Sequence, residues 1–502
     1  MGNSSGNAQI DYTDKDYESL RLAMLALASR KLPEWTDHSA NDPGVALLEL
    51  FAYMGDLLLY YQDRIANESF LDTATERRSV VNLLRLIGCE MRPAQPASVD
   101  LTLLFKPDFN KDSPIIKISN NAEFKTAAIG GEVSFRYVRP DLDVDLRTLP
   151  SIPHDDGNTY RCYLGLPVIQ VTKVCKNEIV GTSDGTSGQR FKLQGAPLIT
   201  NSLKVYVNKS LWERKDTLFY SYSGDRHYMV RRDEADAAWI EFGDGCFGQI
   251  PPPIGPNNIV AYYQAGGGVK GNVPKCSVFK AVGGVAPDTD LKLVFNADAA
   301  SGGMEPEDIA QAALRGPQLF RARGRAVTAE DYEAYAMDYG VAKVRARAAN
   351  WNIVELYVAP AGGGRPSDTM KEDLRLYFED KRMLSAAIEV KDPVYAKVEI
   401  KGNLYVKPQY LREFVRLDAV EALRGLLAFD QVNFAATLYI SKIYEVIEAI
   451  EGVRGVTVTA FRRTEAPSAS DPISGGVLYF DWNEIPTLSG IEFTATGGQS
   501  GH

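Results

Sequence analysis

Residues 41–64 read NDPGVALLELFAYMGDLLLYYQDR, and no other stretch restricts the fold as strongly. Asp42-Pro43 is a helix start, an N-cap acceptor followed by proline in the first turn. Along the helix Glu49, Asp56 and Asp63 recur every seven residues, almost two turns, and so form one narrow acidic stripe. The remaining positions are oily: Val45, Leu47, Leu48, Leu50, Phe51, Tyr53, Met54, Leu57, Leu58, Leu59 and Tyr61. A helix apolar on most of its circumference must be enclosed by other helices or by lipid. Two centrally placed carboxylates cost roughly 2.5–3.5 kcal/mol each on membrane insertion scales, so the expectation is a soluble helical bundle with no direct membrane span. Leu47, Leu50, Phe51, Met54, Leu57, Leu58 and Tyr61 are its candidate partner interface.

The flanking sequence predicts two more helices within residues 11–88. Thr13 with Asp16 resembles a capping box, followed by Tyr17, Leu20, Met24 and Leu27 at heptad-like spacing. Thr75 is placed to cap a third helix, whose Val80, Leu83, Leu84 and Ile87 form one stripe before Gly88 stops it. An almost wholly apolar helix between two amphipathic ones leaves oily surface over, which points to partner helices.

From about Val99 the apolar period changes from that of a helix to two. VDLTLLF, EVSFRYV, CYLGLPVIQV, SLKVYVN and AWIEFGDG read as strands between Pro, Gly and Asn/Asp turns. Residues 181–188 read as a turn-rich insert, FGDGCFG (242–248) as an Asp-Gly turn between strands, and AGGGVKGNV (265–273) as a glycine-rich bend. The last third alternates: helices over 307–315 and 328–339 (capped by Thr328 with Asp331), strands over 342–349 and 353–359, and a helix over 368–382. A long strand over 394–406, helices over 411–428 and 441–450, a strand over 453–461 and a β tail follow. The expected fold is multidomain α+β: a tail over 1–10, a helical bundle segment over 11–95, a β-rich domain over 96–300, and small α+β sandwich domains over 301–390 and 391–502.

Few residues invite chemistry. The net charge of −10 argues against nucleic acid as a partner. The first residues, MGNSSGNAQIDYTDKD, lack the pattern of a secretory signal, and Gly2 with Ser5 is only a faint myristoylation motif, so a flexible tail is expected. Five scattered cysteines without a CxxC pair fit free thiols in a reducing cytosol, and four histidines leave little for metal chemistry. Glu49/Asp56/Asp63 is a paired-carboxylate candidate, but such centres usually add histidines, and only His38 is near; a polar seam, solvated or paired with arginine, is the preferred reading. Cys246 would need His227 as its base, and a packed small side chain is preferred. The glycine clusters at 266–268 and 362–364 lack a phosphate-binding context and read as loops. Arg315, Arg321, Arg323 and Arg325 form a basic run without an acid from 310 to 329; Arg321, Arg323 and Arg325 are the candidate inter-subunit contacts. No residue set is assigned as catalytic, cofactor-binding or metal-binding.

Four ordered pieces carry a family resemblance: the segment from Asn41 to Gly88, FGDGCFGQIPP (242–252), YYQAGGGVKGNVP (262–274) and RGRAVTAEDYEAYA (323–336). Together they resemble the baseplate J-like wedge family of contractile phage tails and related injection systems. The resemblance covers residues 41–336; beyond 340 the similarity is general. It implies a structural protein, not an enzyme, without a cofactor. Its N-terminal helices would join a second wedge subunit, self or paralogue, and a smaller wedge protein. Its downstream domains would link neighbouring wedges into a ring around the hub and spike beneath the sheath, helping to transmit the contraction trigger. Assembly in the cytoplasm, then residence in a phage-tail-like particle, is the implied location. The alternatives are a tail-associated glycan hydrolase using Glu49/Asp56 or acids in the β region, and a receptor- or carbohydrate-binding tail protein suggested by β-richness and 25 tyrosines.

Overall fold

The structure, a computed structural model, describes residues 15–39, 41–108, 114–126, 132–153, 157–286, 290–464 and 473–500. The expected tail over 1–10, with Gly2 and Ser5, and the expected cap Thr13 lie outside the described residues. The chain forms two compact units: residues 1–92 with 232–236 and 307–321, and the remainder.

The first unit is built from α1 (Tyr17–Lys31), α2 (Pro43–Glu68), α3 (Arg77–Leu86) and most of α4 (Ile309–Ala322). Asp16, not Thr13, caps α1: its carboxylate accepts from Ser19 N at 2.9 Å while Ser19 Oγ accepts from Asp16 N at 2.9 Å. Tyr17, Leu20, Met24 and Ala28 make its half-buried stripe; Leu27 is exposed, because a straight helix of 3.6 residues per turn carries position 28, not 27, back to the packed side. Asp42 caps α2 as expected, accepting from Gly44 N and Val45 N at 2.8 and 3.2 Å. Thr75 does not cap α3. Instead Glu68, at the end of α2, accepts from Thr75 N, Thr75 Oγ1 and Glu76 N at 2.9, 2.7 and 3.2 Å. Burial pushes the Glu68 carboxyl up, but hydrogen bonds from Ser79, Thr75 and the Thr75 and Glu76 amides outweigh it and hold the group below its ordinary value.

Val80 and Leu84 of α3 are fully buried with Ala74, Met91 and Ala312, so the expected stripe is the core of this unit. A Cβ on Gly316 would come within 2.4 Å of Leu84 Cδ2, so glycine there lets α4 close on α3. The helix expected to end at Arg315 runs through Pro317 to Ala322. Arg315 itself is buried, not part of a solvated basic run. Its Nε and Nη2 donate to the two Glu307 carboxylate oxygens at 2.7 Å each, and Nη2 also donates to Glu90 O at 2.7 Å. Glu307 in turn accepts from Arg92 N at 2.9 Å, and its carbonyl accepts from Arg77 Nη1 at 2.8 Å. One buried bidentate pair thus fastens α4 to the segment that leaves α3.

The second unit begins with strands β1 (Ser98–Phe105), β2 (Ile115–Thr126), β3 (Ser134–Tyr137), β4 (Leu142–Asp145), β5 (Ser151–Pro153), β6 (Thr159–Gln170), β7 (Lys173–Gly181), β8 (Arg190–Lys192), β9 (Lys204–Val207), β10 (Ser210–Arg214), β11 (His227–Arg232), β12 (Ala238–Phe242), β13 (Ile259–Ala265), β14 (Val278–Ala286) and β15 (Leu291–Asn296). They form two sheets. One runs β14-β2-β3-β6-β1-β15, with β4 on β2 and β5 on β6; the other runs β7-β13-β9-β10-β11-β12-β8. Each has its own core, around Leu101, Leu103, Phe124 and Phe135 in the first and Val205, Tyr228, Phe242 and Tyr263 in the second. β2 shows the period-two signal directly, with Ile116, Ile118, Ala122 and Phe124 buried between exposed or half-buried residues.

Downstream lie α5 (Ala329–Tyr339), β16 (Lys343–Asn350), β17 (Ile353–Ala359), α6 (Asp368–Phe378) and β18 (Ala387–Lys391), with the sheet ordered β16-β17-β18. Thr328 caps α5 in a capping box with Asp331, as expected. Then come β19 (Val394–Leu411), α7 (Arg412–Leu426), β20 (Leu438–Tyr439), α8 (Ile440–Glu448), β21 (Val453–Arg463), β22 (Val477–Leu478) and β23 (Glu484–Gln499). Their sheet β21-β19-β23 is covered by α7 and α8 over a core including Ile400, Leu404, Leu423, Ile447 and Phe461. The fold is mixed α+β, with helices leading and several sheets following.

Removing one partner of a buried ion pair leaves an uncompensated charge, at a cost of roughly 3–5 kcal/mol. Glu307→Gln is therefore expected to destabilise the first unit by about that amount. Denaturant unfolding followed by fluorescence checks this; a change under about 1 kcal/mol would contradict a structural role for the pair.

Candidate functional site

α2 spans 26 residues, about 39 Å. Its packed side holds Val45, Leu48, Glu49, Ala52, Gly55, Asp56, Leu59, Asp63 and Ala66, buried or half-buried. α1 lies along this side: Leu20 Cδ1 is 3.0 Å from where a Cβ on Gly55 would sit, and Arg21 Nε donates to Glu49 Oε1 at 2.9 Å. Glu49 of the acidic stripe therefore belongs to the seam with α1, its arginine coming from within the chain, while Asp56 and Asp63 lie half-buried on the same side of α2. The Glu49 hydrogen bond holds the Arg21 guanidinium above its ordinary value. Glu49 is thus engaged as an ion-pair partner.

The opposite side of α2 is oily and open. Leu47, Leu50, Phe51, Tyr53, Met54, Leu57, Leu58, Tyr61 and Ile65 are all exposed, from 37% at Leu57 to 69% at Ile65. At a 100° step they occupy one arc of about 160°, a little under half the circumference. All seven residues expected at a partner interface fall on it. Burying a large apolar side chain stabilises by roughly 1.5–3 kcal/mol, so this arc leaves on the order of 10 kcal/mol unrealised in the single chain. α2 is also long and apolar enough to cross a membrane by length and composition, the one such helix among the described residues.

Other candidates resolve differently. Arg321, Arg323 and Arg325 are exposed. Cys246 is exposed on its loop and not packed, so the expected small core side chain is not what the fold uses. His227 Nδ1 lies 2.9 Å from Ser221 Oγ, and no hydrogen bond joins the ring to Cys246 among the described residues. FGDGCFG is not a two-residue hairpin turn: β12 ends at Phe242 and the next strand starts at Ile259. Asp244 Oδ1 accepts from Cys246 N and Phe247 N at 2.8 and 2.7 Å, folding the loop back so that a Cβ on Gly243 would meet Gly248 C at 2.3 Å. These amides, Phe247 first, hold the Asp244 carboxyl below its ordinary value. In AGGGVKGNV a Cβ on Gly266 would come within 2.7 Å of Gln170 O, so the glycines serve a close backbone approach between strands. No group of three or more His, Cys, Asp or Glu able to hold a metal occurs among the described residues.

Acidic residues gather where α6 meets the first sheet, Asp100 half-buried and Asp368, Glu372 and Asp373 exposed, an arrangement with no counterpart in the residue pattern. Asp100 Oδ2 accepts from Asp368 N at 3.0 Å, while Asp100 Oδ1 is buried without a hydrogen bond. Burial, then the nearby Asp368 charge, pushes the Asp100 carboxyl up against the pull of Arg139 and of the Asp368 amide. Asp373 is pushed up likewise by burial, while Arg139 pairs with Glu372 at 2.6 Å.

The comparisons with known proteins fit the first of these sites. Residues 16–86 match the family model for the bacteriophage baseplate protein N-terminal domain, which contains all of α1, α2 and α3. Residues 324–391 match the Baseplate J-like central domain, which contains α5, β16, β17, α6 and β18. Two baseplate family models thus match this chain in order, the N-terminal domain and then the J-like central domain. Among solved structures, a chain of the cryo-EM structure of the anti-feeding prophage (AFP) baseplate, 6-fold symmetrised, aligns at 13% identity and a TM-score of 0.35, over 93% of this chain and 90% of that one. No curated protein matches.

A carboxyl whose value is raised by folding binds its proton more tightly in the folded state. Asp100 and Asp373 therefore contribute stability as the pH falls towards and below their folded-state range, and that contribution is lost as the pH rises through it. Asp100→Asn keeps an acceptor for the Asp368 amide and removes the charge. It is expected to raise the melting temperature near pH 8 and to make little difference near pH 4. An equal shift at both pH values would show that charge is not the cause.

Proposed function

We propose that the chain is a structural wedge subunit of the baseplate of a contractile phage tail or contractile injection system. Its N-terminal helices dock through the open arc of α2 onto helices of a second wedge subunit and a smaller wedge protein. The downstream domains link neighbouring wedges into a ring around the hub and spike, beneath the sheath, and pass on the contraction trigger. Assembly takes place in the cytoplasm before the subunit becomes part of the particle.

The observation that carries this reading is the placement of Leu50, Phe51, Met54, Leu58 and Tyr61 on one exposed arc, inside the segment that matches a baseplate N-terminal domain. An amphipathic helix laid into an apolar groove is recognised through anchors spaced i, i+3, i+4 and i+7, which Leu50, Tyr53, Met54 and Leu57 supply. Glu49, Asp56 and Asp63 lie half-buried on the other side of α2, so the open arc is free of carboxylates and suits an apolar protein surface.

Leu50→Asp combined with Leu58→Asp places two charges in the centre of the arc without touching the α1 seam. The doubly substituted chain is expected to keep its β-rich unit folded, seen as an unchanged far-ultraviolet β signal, and to be lost from particles isolated through a sheath tag. Recovery of that variant in intact sheath-tipped particles would sink the proposal.

A further inference from the structure

The two three-stranded sheets of the second unit have four outer edges, on β16, β18, β21 and β23. Three of them are guarded. β18 is five residues long and carries Glu389 and Lys391. On β16, Ala346 N donates to Glu333 Oε1 at 3.0 Å, and Arg345 and Arg347 lie along the strand. On β21, Val458 N donates to Tyr444 Oη at 3.2 Å, and the strand carries Arg454, Arg462 and Arg463. Short length, charges and side-chain caps of this kind keep a sheet edge from pairing with another chain.

β23 has none of these devices. It runs 16 residues and pairs on one side only, in parallel with β19 from Val394↔Glu484 onward. Alternate residues of a strand aim their N–H and C=O at opposite edges, so about half of these groups point away from β19. Ala435 N covers the start of the edge by donating to Glu484 O at 3.0 Å. From Thr487 to Gln499, among the described residues, no donor or acceptor outside the β19 ladder reaches the backbone. That stretch, TLSGIEFTATGGQ, holds no Lys, Arg or Pro, and its one charge, Glu492, lies 3.2 Å from Lys401 Nζ.

The chemistry of this edge states what completes it. A row of backbone donors and acceptors at the strand repeat is matched by an extended peptide, and neither a helix nor a sugar carries such a row. The side chains add the pattern. Phe493 is buried in the core beneath α7, and Ile491 and Ala495 are half-buried at its rim, whereas Glu492, Thr494 and Thr496 between them are exposed. An added strand therefore needs apolar side chains at every second position, to extend the core past Ile491 and Ala495, and polar ones between.

We propose that the open edge of β23 receives a strand from another protein of the particle, an extended segment of about five to six residues laid beside Ile491–Thr496. Main-chain hydrogen bonds supply the affinity, and the alternation of Ile491, Phe493 and Ala495 with exposed residues sets the register. The inference rests on the baseplate reading for the source of the strand, while its surface is separate from the α2 arc.

The test compares amide hydrogen exchange of the full chain free in solution and in particles isolated through a sheath tag. Peptides covering 487–499 are expected to hold a fast-exchanging set of amides in the free chain that slows by about tenfold or more in the particle. Neighbouring N–H groups point to opposite edges, so one of Thr494→Pro and Ala495→Pro spares the β19 ladder and keeps the parent melting temperature. That folded variant, lacking one outward donor, is expected to lose the slowing or its place in the particle. Equal exchange in both states, or a folded proline variant slowed as much as its parent, would overturn the inference. So would slowing in the free chain that grows with concentration, since β23 would then pair with a second copy. The exchange comparison needs no variant, so it reads out even if neither proline chain folds. Particles that hold the chain with β23 unprotected overturn this contact alone; particles without the chain overturn the baseplate reading with it.

Discussion

α2 has more apolar surface than the described first unit covers. Its 26 residues carry oily side chains around most of the circumference, and α1 packs on the side that holds Glu49 and Gly55. The unrealised burial, on the order of 10 kcal/mol, is as large as the whole net stability of an ordinary domain, roughly 5–15 kcal/mol. The free chain tolerates this because the first unit is secured elsewhere, by the α3–α4 core and by the buried Glu307–Arg315 pair. That division of labour lets one side of α2 stay open without the unit coming apart.

The second unit supplies rigid scaffolding. Three separate cores, one per major sheet, give it stiffness, and the motif glycines at 243 and 266 are places where backbone meets backbone too closely for a side chain. The Glu307–Arg315 pair is buried in one unit, and in the other the half-buried Asp100 carboxyl is held up by its burial near the partly exposed Arg139–Glu372 pair.

Much of the fold was legible because the apolar period is strong. The 3.6 spacing marked α2 and α3, the alternation in β2 marked a half-buried strand, and Asp42-Pro43 and Thr328–Asp331 placed their helix starts correctly. The misreadings concern side chains whose partners are distant or whose local alternatives are close. Thr75 looked like a cap because Glu68, seven residues back, was invisible as an acceptor until α2 and α3 turned on each other. Arg315 looked solvated because its acid, Glu307, lies before the helix begins. The helix was stopped at Gly316-Pro317 by a local rule that packing against Leu84 and the anchored arginine overrode.

By itself the sequence determined that α2 must be a helix, that its carboxylates fall on one stripe, and that its oily residues outnumber what an amphipathic surface helix can hide. Periodicity and side-chain chemistry suffice for that, since both are properties of the chain alone. Which side is covered was decided only by the tertiary structure. Arg21 draws Glu49 against α1, and Leu47, Leu50, Leu58, Phe51, Met54 and Tyr61 turn outward in consequence. The open edge of β23 was likewise decided by packing, because which strand ends at a sheet's margin is a property of the assembled chain that no residue pattern encodes.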